Sequence, residues 1–328
     1  MSAIAPVILE EPSPAAASPA PDDVRRRLRQ DPRLMAGGGL LALIVLACVA
    51  TLPLTLRSQS GSGKNDFYFD QQHPQAARHA PSLAHPWLWL GTDTLGRSLL
   101  SRCLVGGTIS LTIGIAAAAI AVTLGVTVGL VAGYRGGWID SLLMRSVDVL
   151  YGLPYILVIV LLKLALTPLL ARLAINPTAS NLIVLFLAIG LVSWLTMARV
   201  IRGQVLSLRA QPFIESCRAS GLTEWRIFTR HLLPNLIGPI TVYATLTVPQ
   251  AILEESFLSF LGIGIQPPVP TWGSLASDGL MPALNIIRPY VYMLVTPCVL
   301  LCVTLLALNF LGDGLRDVFD PKREAAKI

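Results

Sequence analysis

The sequence predicts an all-α integral membrane protein with six transmembrane helices, and three observations predict it. Of the 328 residues, 53% are hydrophobic and only 13% are charged, against about 25% charged in an ordinary soluble domain. Apolar stretches long enough to cross a hydrocarbon core, which takes roughly 20 helical residues, recur along the chain. The lysines and arginines of the intervening loops divide unevenly, 17 on one side and seven on the other. The richer side is expected to be cytoplasmic, which places both termini inside.

Taken in order, residues 1–34 are rich in Ala, Pro and Ser and read as a disordered cytoplasmic tail. Residues 35–57 are a first transmembrane anchor, with its apolar run over 36–56. Val45-Leu46-Ala47-Cys48 within it resembles a lipoprotein cleavage box. The charged region before it is too long for a signal peptide, and the apolar run continues past Cys48, so an uncleaved anchor is expected. Residues 58–103 form an external loop. There Gly61-Ser62-Gly63-Lys64-Asn65 lacks the first glycine and the final hydroxyl of a phosphate-binding loop and reads as a linker. His73, His79 and His85 share neither a helix face nor a tight turn, so no metal site is read there.

Residues 104–313 make the main membrane domain. Its expected spans cover 104–132, 142–164, 182–198, 236–262 and 289–311. The span over 142–164 is interrupted by Pro154 and carries Lys163, whose long stem suits snorkelling at the outer end. The span over 182–198 is short. Residues 314–328 read as a cytoplasmic tail.

Gly125, Gly129 and Gly133 recur every four residues, which strips side chains from one stripe of a helix and lets another backbone approach. Arg145 and Asp148 are three apart on a helix and positioned to pair. Glu254 and Glu255 are ionisable residues within a span, candidates for the translocation path or a gate. They stand about 100° apart around the helix, so both cannot face one pathway. Packing or interfacial hydration is the competing reading. The five cysteines show neither a disulfide framework nor a zinc spacing. The net charge of +6 is mostly topology, and no basic patch interleaved with aromatics suggests nucleic acid. No catalytic residue, cofactor or metal is read from the chain.

The segment between the fourth and fifth spans carries the most chemical information. Pro212 suits the first turn of a helix. Phe213, Ile214 and Cys217 give that helix an apolar stripe, flanked by Glu215 and Arg218. Gly221 stands where a left-handed terminal turn is needed. Thr223 is placed to cap a second helix, with Leu222 and Ile227 at the staple positions and Glu224 favouring its N-terminus. That helix is expected to stop at Pro234. Two short helices joined by a sharp turn suit docking into another protein, although an ordinary helical loop would read the same way.

The segment also resembles the coupling motif of ABC importer permeases, E-A-A-x-x-x-G followed nine residues on by x-H-x-L-P. Here it reads Glu215-Ser216-Cys217-Arg218-Ala219-Ser220-Gly221, then Arg230-His231-Leu232-Leu233-Pro234. Three further stretches are similar to the dipeptide/oligopeptide permease family. They are Gly91-Thr92-Asp93-Thr94-Leu95-Gly96-Arg97 with Ser101-Arg102; Glu255 and Leu258-Ser259-Phe260-Leu261-Gly262 through Thr271-Trp272-Gly273; and Asn309-Phe310-Leu311-Gly312-Asp313-Gly314. The subunit type with a long first external loop, the "C" permease, fits best. Ser216-Cys217 departs from Ala-Ala, Ser98 stands where an acid is usual, and Thr108 where an arginine is usual.

That resemblance implies a type I ABC importer permease fold and transport of short peptides by alternating access. It implies a similar sister permease, two ATPase subunits and an external solute-binding protein as partners. Nickel or another small solute remains an alternative cargo. A stand-alone channel or proton-coupled carrier is the rival class, and it would show paired acids or histidines at mid-membrane.

Overall fold

The computed structural model describes residues 31–56, 67–172 and 176–319. The expected tail over residues 1–30, the linker Gly61-Ser62-Gly63-Lys64-Asn65 and everything after Phe319 lie outside them.

Among the described residues the chain is helical. Helix α1 spans Pro32–Thr55, with the Asp31 carboxylate accepting the N–H groups of Arg33 and Leu34 at 2.9 and 3.3 Å, an N-cap that satisfies otherwise orphaned donors. Helix α2 runs Leu99–Arg135, capped by Ser98. Helices α3, Gly137–Tyr151, and α4, Tyr155–Ala171, follow. Helix α5, Pro177–Arg209, starts at an Asn176 cap. Two short helices, α6 (Pro212–Ala219) and α7 (Glu224–Ile227), lead through a π turn at Phe228–Leu232 into α8, Leu233–Phe260. Helix α9 spans Trp272–Ala283 and α10 spans Tyr292–Phe319.

Among the described residues five helices are long and apolar enough to cross a membrane: α1, α2, α5, the continuous stretch Glu224–Phe260, and α10. The sixth expected span is a broken one, the pair α3 and α4 passing the same test together. The stretch over 142–164 is not one straight helix, because α3 and α4 meet at 97°. Pro154 disfavours helical geometry in the residue before it, and the helix ends at Gly152. The span over 182–198 lies inside a helix of 33 residues, whose polar end carries Arg199, Arg202 and Arg209.

Those arginines explain how α3 is held. Arg202 grips Asp140 through both oxygens at 2.5 and 2.6 Å, and Arg199 reaches Asp148 at 2.7 Å. Asp148 therefore pairs with Arg199 on α5 rather than with Arg145, its expected neighbour. Asp140 and Asp148 are about 12 Å apart along α3, but their partners are only about 4.5 Å apart along α5, at 1.5 Å per residue. Helix α3 thus runs obliquely across α5.

The core forms where α2 packs on α5. A Cβ added to Gly125 would lie 2.9 Å from the carbonyl oxygen of Trp194, one at Gly129 2.6 Å from that of Ala198, and one at Gly133 3.0 Å from that of Arg202. The glycine stripe is therefore a backbone-to-backbone seam inside this chain. Ile113, Ala117, Leu185, Ile189 and Ala251 continue the core toward α8. Helix α1 stands at the periphery against α10, where Gly37 and Gly314 let the two backbones close up.

Candidate functional site

Helices α6 and α7 form a hairpin at one end of the bundle. Pro212 occupies the first turn of α6, where its missing N–H costs nothing. The helix ends in a Schellman turn. The Leu222 N–H donates to the Cys217 carbonyl at 3.2 Å, and the Gly221 N–H donates to the Arg218 carbonyl at 2.9 Å. Gly221 takes φ +75°, as this motif requires. The Thr223 backbone carbonyl accepts from Arg226 and Ile227. Its hydroxyl makes no cap bond, so Thr223 caps α7 through the main chain and not through the expected side chain.

Ile214 is 0% exposed and packs with Ile227 and Leu232, with Cys217 and Leu222 around them. This small core makes the hairpin a rigid body. It also sorts the expected coupling residues into two groups. Ile214 and Cys217 face inward, and Ile214 is an anchor rather than a docking contact. Phe213, Glu215, Ser216, Arg218, Ala219 and Gly221 form the exposed surface. Arg218 and Glu224 approach at 3.3 Å across the turn, an exposed pair worth ~0–1 kcal/mol.

Arg230, His231 and Pro234 lie where the hairpin enters α8. The expected stop at Pro234 does not occur, and helix continues from Glu224 to Phe260. A proline inside a helix leaves a carbonyl one turn back without its donor. Here the ladder widens in advance, with the Leu233 N–H donating to the Phe228 carbonyl across a π turn. Pro234 then occupies the start of α8, and the Asn235 amide donates to the His231 carbonyl at 2.6 Å.

The hairpin is tied to α2 and α5 as well. The Tyr134 hydroxyl donates to the Glu224 carbonyl at 3.2 Å, and Arg209 donates to the Tyr134 carbonyl at 2.9 Å. Trp225, which sequence reasoning passed over, is 72% exposed and stacks on Phe228 at 5.7 Å. It walls an apolar cleft of about 370 Å³ with Leu130, Val131 and Tyr134. A large aromatic in an otherwise charged stretch was the available signal. The hairpin is covalently continuous with α5 at one end and α8 at the other.

Glu254 and Glu255 separate as expected. Glu255 is fully buried, and Ser259, Ser110 and Ser256 donate to it at 2.6, 3.2 and 3.5 Å. Through Ser110 it joins α2 to α8. Glu254 accepts from the Tyr155 hydroxyl. The Lys163 ammonium donates to the carbonyls of Ile263 and Gly264, just past the C-terminal end of α8, where positive charge is favoured.

At the opposite end of the bundle lies a cluster centred on Asp93. Its carboxylate accepts from the Leu95 and Arg97 N–H groups at 2.9 Å, from Arg97 Nε at 2.6 Å and from Arg102 Nη1 at 2.7 Å. Arg102 continues to Asp278 on α9 at 3.3 Å. The Gly91–Arg97 stretch is thus the latch of the 67–98 segment onto the helices. Gly96, at φ +76°, has the His73 carbonyl in the space a Cβ would take.

Comparison with known proteins places these features. Residues 125–325 match the family described as binding-protein-dependent transport system inner membrane component. The oligopeptide transport system permease protein OppC of Escherichia coli is 41% identical over 300 residues, spanning 92% of this chain and 90% of that protein. The dipeptide transport system permease protein DppC of Bacillus subtilis is 40% identical over 300 residues, 92% of this chain and 85% of that protein. The glutathione transport system permease protein GsiD of Pectobacterium atrosepticum is 35% identical over 91% of this chain and 89% of that protein. Among solved structures, an inward-facing form of the MetNI methionine ABC transporter contains a chain that aligns with a TM-score of 0.54 at 18% identity. The match covers 73% of this chain and 100% of that one, and shows a shared type I importer permease fold.

Proposed function

The chain belongs to the family of binding-protein-dependent transport system inner membrane components, and from that premise we propose that it is the permease subunit of an ABC importer for short peptides. The observation that carries the substrate class is identity near 40% to oligopeptide and dipeptide permeases over nine-tenths of the chain. As a permease it hydrolyses nothing. Its work is mechanical.

In this reading the hairpin end is cytoplasmic, as its arginines favour, and the 67–98 segment faces outside. The exposed face of α6, with Phe213, Glu215, Ser216, Arg218 and Ala219, meets an ATPase subunit. ATP-driven closure of two such subunits pushes the hairpin as a body, since Ile214, Ile227 and Leu232 lock its two helices together. Helices α5 and α8 carry the displacement into the membrane, and the cavity between this chain and a sister permease alternates its opening. An external solute-binding protein delivers the cargo.

The relation to a glutathione permease supports a second cargo, itself a small peptide-like solute. The deciding experiment is uptake into proteoliposomes holding the complete complex with its binding protein. Labelled tripeptide and glutathione are offered with ATP inside the vesicles or without it. ATP-dependent tripeptide accumulation is expected. Absence of accumulation for every peptide, in a complex with active ATPase, refutes the peptide assignment.

A further inference from the structure

Resting on the peptide-importer reading, we propose that Tyr243, Thr247, Gln250 and Glu254 of α8, facing Ser193 and Thr196 of α5, form a solute-binding wall within the membrane. The wall takes peptide backbone amides and a cationic amino end.

The four α8 residues are spaced by four, three and four. They fall within about a 60° arc at 3.6 residues per turn. Exposed residues elsewhere on the same helix, such as Ile237, Leu253 and Phe257, are apolar. Between α5 and α8 lies a cleft of about 210 Å³ whose lining includes Ser193, Thr196, Tyr243, Thr247 and Gln250, room enough for several waters. All of these residues sit inside the apolar stretches 182–198 and 236–262. The Thr247 and Ser193 hydroxyls donate to the Tyr243 and Ile189 carbonyls one turn back, but hydrocarbon offers the exposed Gln250 amide no hydrogen-bonding partner, so this side of α8 faces water or another polar surface.

Glu254 extends the stripe. The Tyr155 hydroxyl donates to its carboxylate. The same tyrosine oxygen lies 3.4 Å from the Ser193 hydroxyl. A polar line therefore runs from α8 across the first residue of α4 to α5. The bend between α3 and α4 places Tyr155 there. Glu255, one residue on, is buried among serines and belongs to the scaffold.

The chemistry indicates the ligand class. Hydroxyls and a primary amide both donate and accept, so they meet backbone N–H and C=O groups of any sequence. Met197 and Leu246 line the same cleft and offer adaptable apolar surface to variable side chains. The one carboxylate supplies a counter-charge for a terminal ammonium.

The test uses the assembled complex with the five native cysteines replaced and single cysteines introduced as Thr247→Cys, Gln250→Cys or, as a control, Leu46→Cys on α1, whose side chain is 65% exposed on the bundle periphery. The probe is a water-soluble cationic thiosulfonate. Thr247→Cys and Gln250→Cys should react and Leu46→Cys should not. Tripeptide delivered by its binding protein should slow the reaction about tenfold at roughly nine times its Kd, because protection follows 1 + [L]/Kd. An N-acetylated tripeptide should protect less, and adding Glu254→Gln should abolish that difference. No reaction at either α8 position overturns the proposal, because the face is then covered by lipid or by the sister subunit. Reaction without protection, in a complex that imports tripeptide, also overturns it. Should the complex with its native cysteines and active ATPase import no peptide at all, the importer reading fails first and the ligand class fails with it.

Discussion

Replacing Gly221 tests whether the hairpin turn works through its backbone. Gly221 holds φ +75° and makes both bonds of the Schellman turn possible. A Cβ added there would meet nothing within 4 Å. The penalty of a substitution is therefore conformational and not steric against neighbours. Alanine in a left-handed position costs about 1–2 kcal/mol. Valine costs more, since a β-branched residue is an outlier there. Asparagine is tolerated far better. A shift of 1–2 kcal/mol changes the population of the native turn roughly 5–30-fold. Coupling energies between distant sites are typically about 1–3 kcal/mol, so the perturbation matches the quantity the hairpin transmits. Gly221→Asn, Gly221→Ala and Gly221→Val should reach the membrane equally. ATPase co-purification and peptide uptake should fall in that order. If valine transports like glycine, the turn is not a coupling element. If asparagine is as damaging as valine, the side chain meets a partner, and the backbone reasoning is wrong.

Four further outcomes follow from the same geometry. Gly129→Ala pushes a methyl to 2.6 Å from the Ala198 carbonyl oxygen, so α2 and α5 must part, at ~1–3 kcal/mol for overpacking; thermal stability in detergent should drop. Asp140→Asn weakens the two-point grip of Arg202 and should cost ~1 kcal/mol, read as lower uptake at unchanged membrane abundance. Asp93→Asn leaves the buried Arg102 guanidinium with the half-exposed Asp278 as its remaining carboxylate partner, a loss of up to about 3 kcal/mol, and should lower the amount of folded permease in membranes, whereas normal abundance would show that the latch is dispensable. In intact cells, an impermeant thiol reagent should spare Cys217 in a variant retaining only that cysteine; labelling without permeabilisation would reverse the assigned orientation.

The sequence by itself determined the solvent, the number of apolar stretches and the turn at Gly221. Each of these rests on local physics: a missing share of charge, the length of an apolar run, and one glycine after a short amphipathic helix. Gly125, Gly129 and Gly133 were legible as a packing stripe for the same reason, since a period of four residues is read along one helix. Their partner was not, because which helix approaches them depends on the whole bundle, and only the structure showed α5. Tertiary structure alone decided that the 142–164 stretch bends, that Asp148 pairs with Arg199 over a sequence separation of 51 residues, and that Ile214 is buried. It also decided that a π turn carries the helix through Pro234 and that Glu255 is enclosed by serines while Glu254 meets Tyr155. Contacts of that kind join residues distant in sequence, and their energy depends on positions that no local pattern encodes.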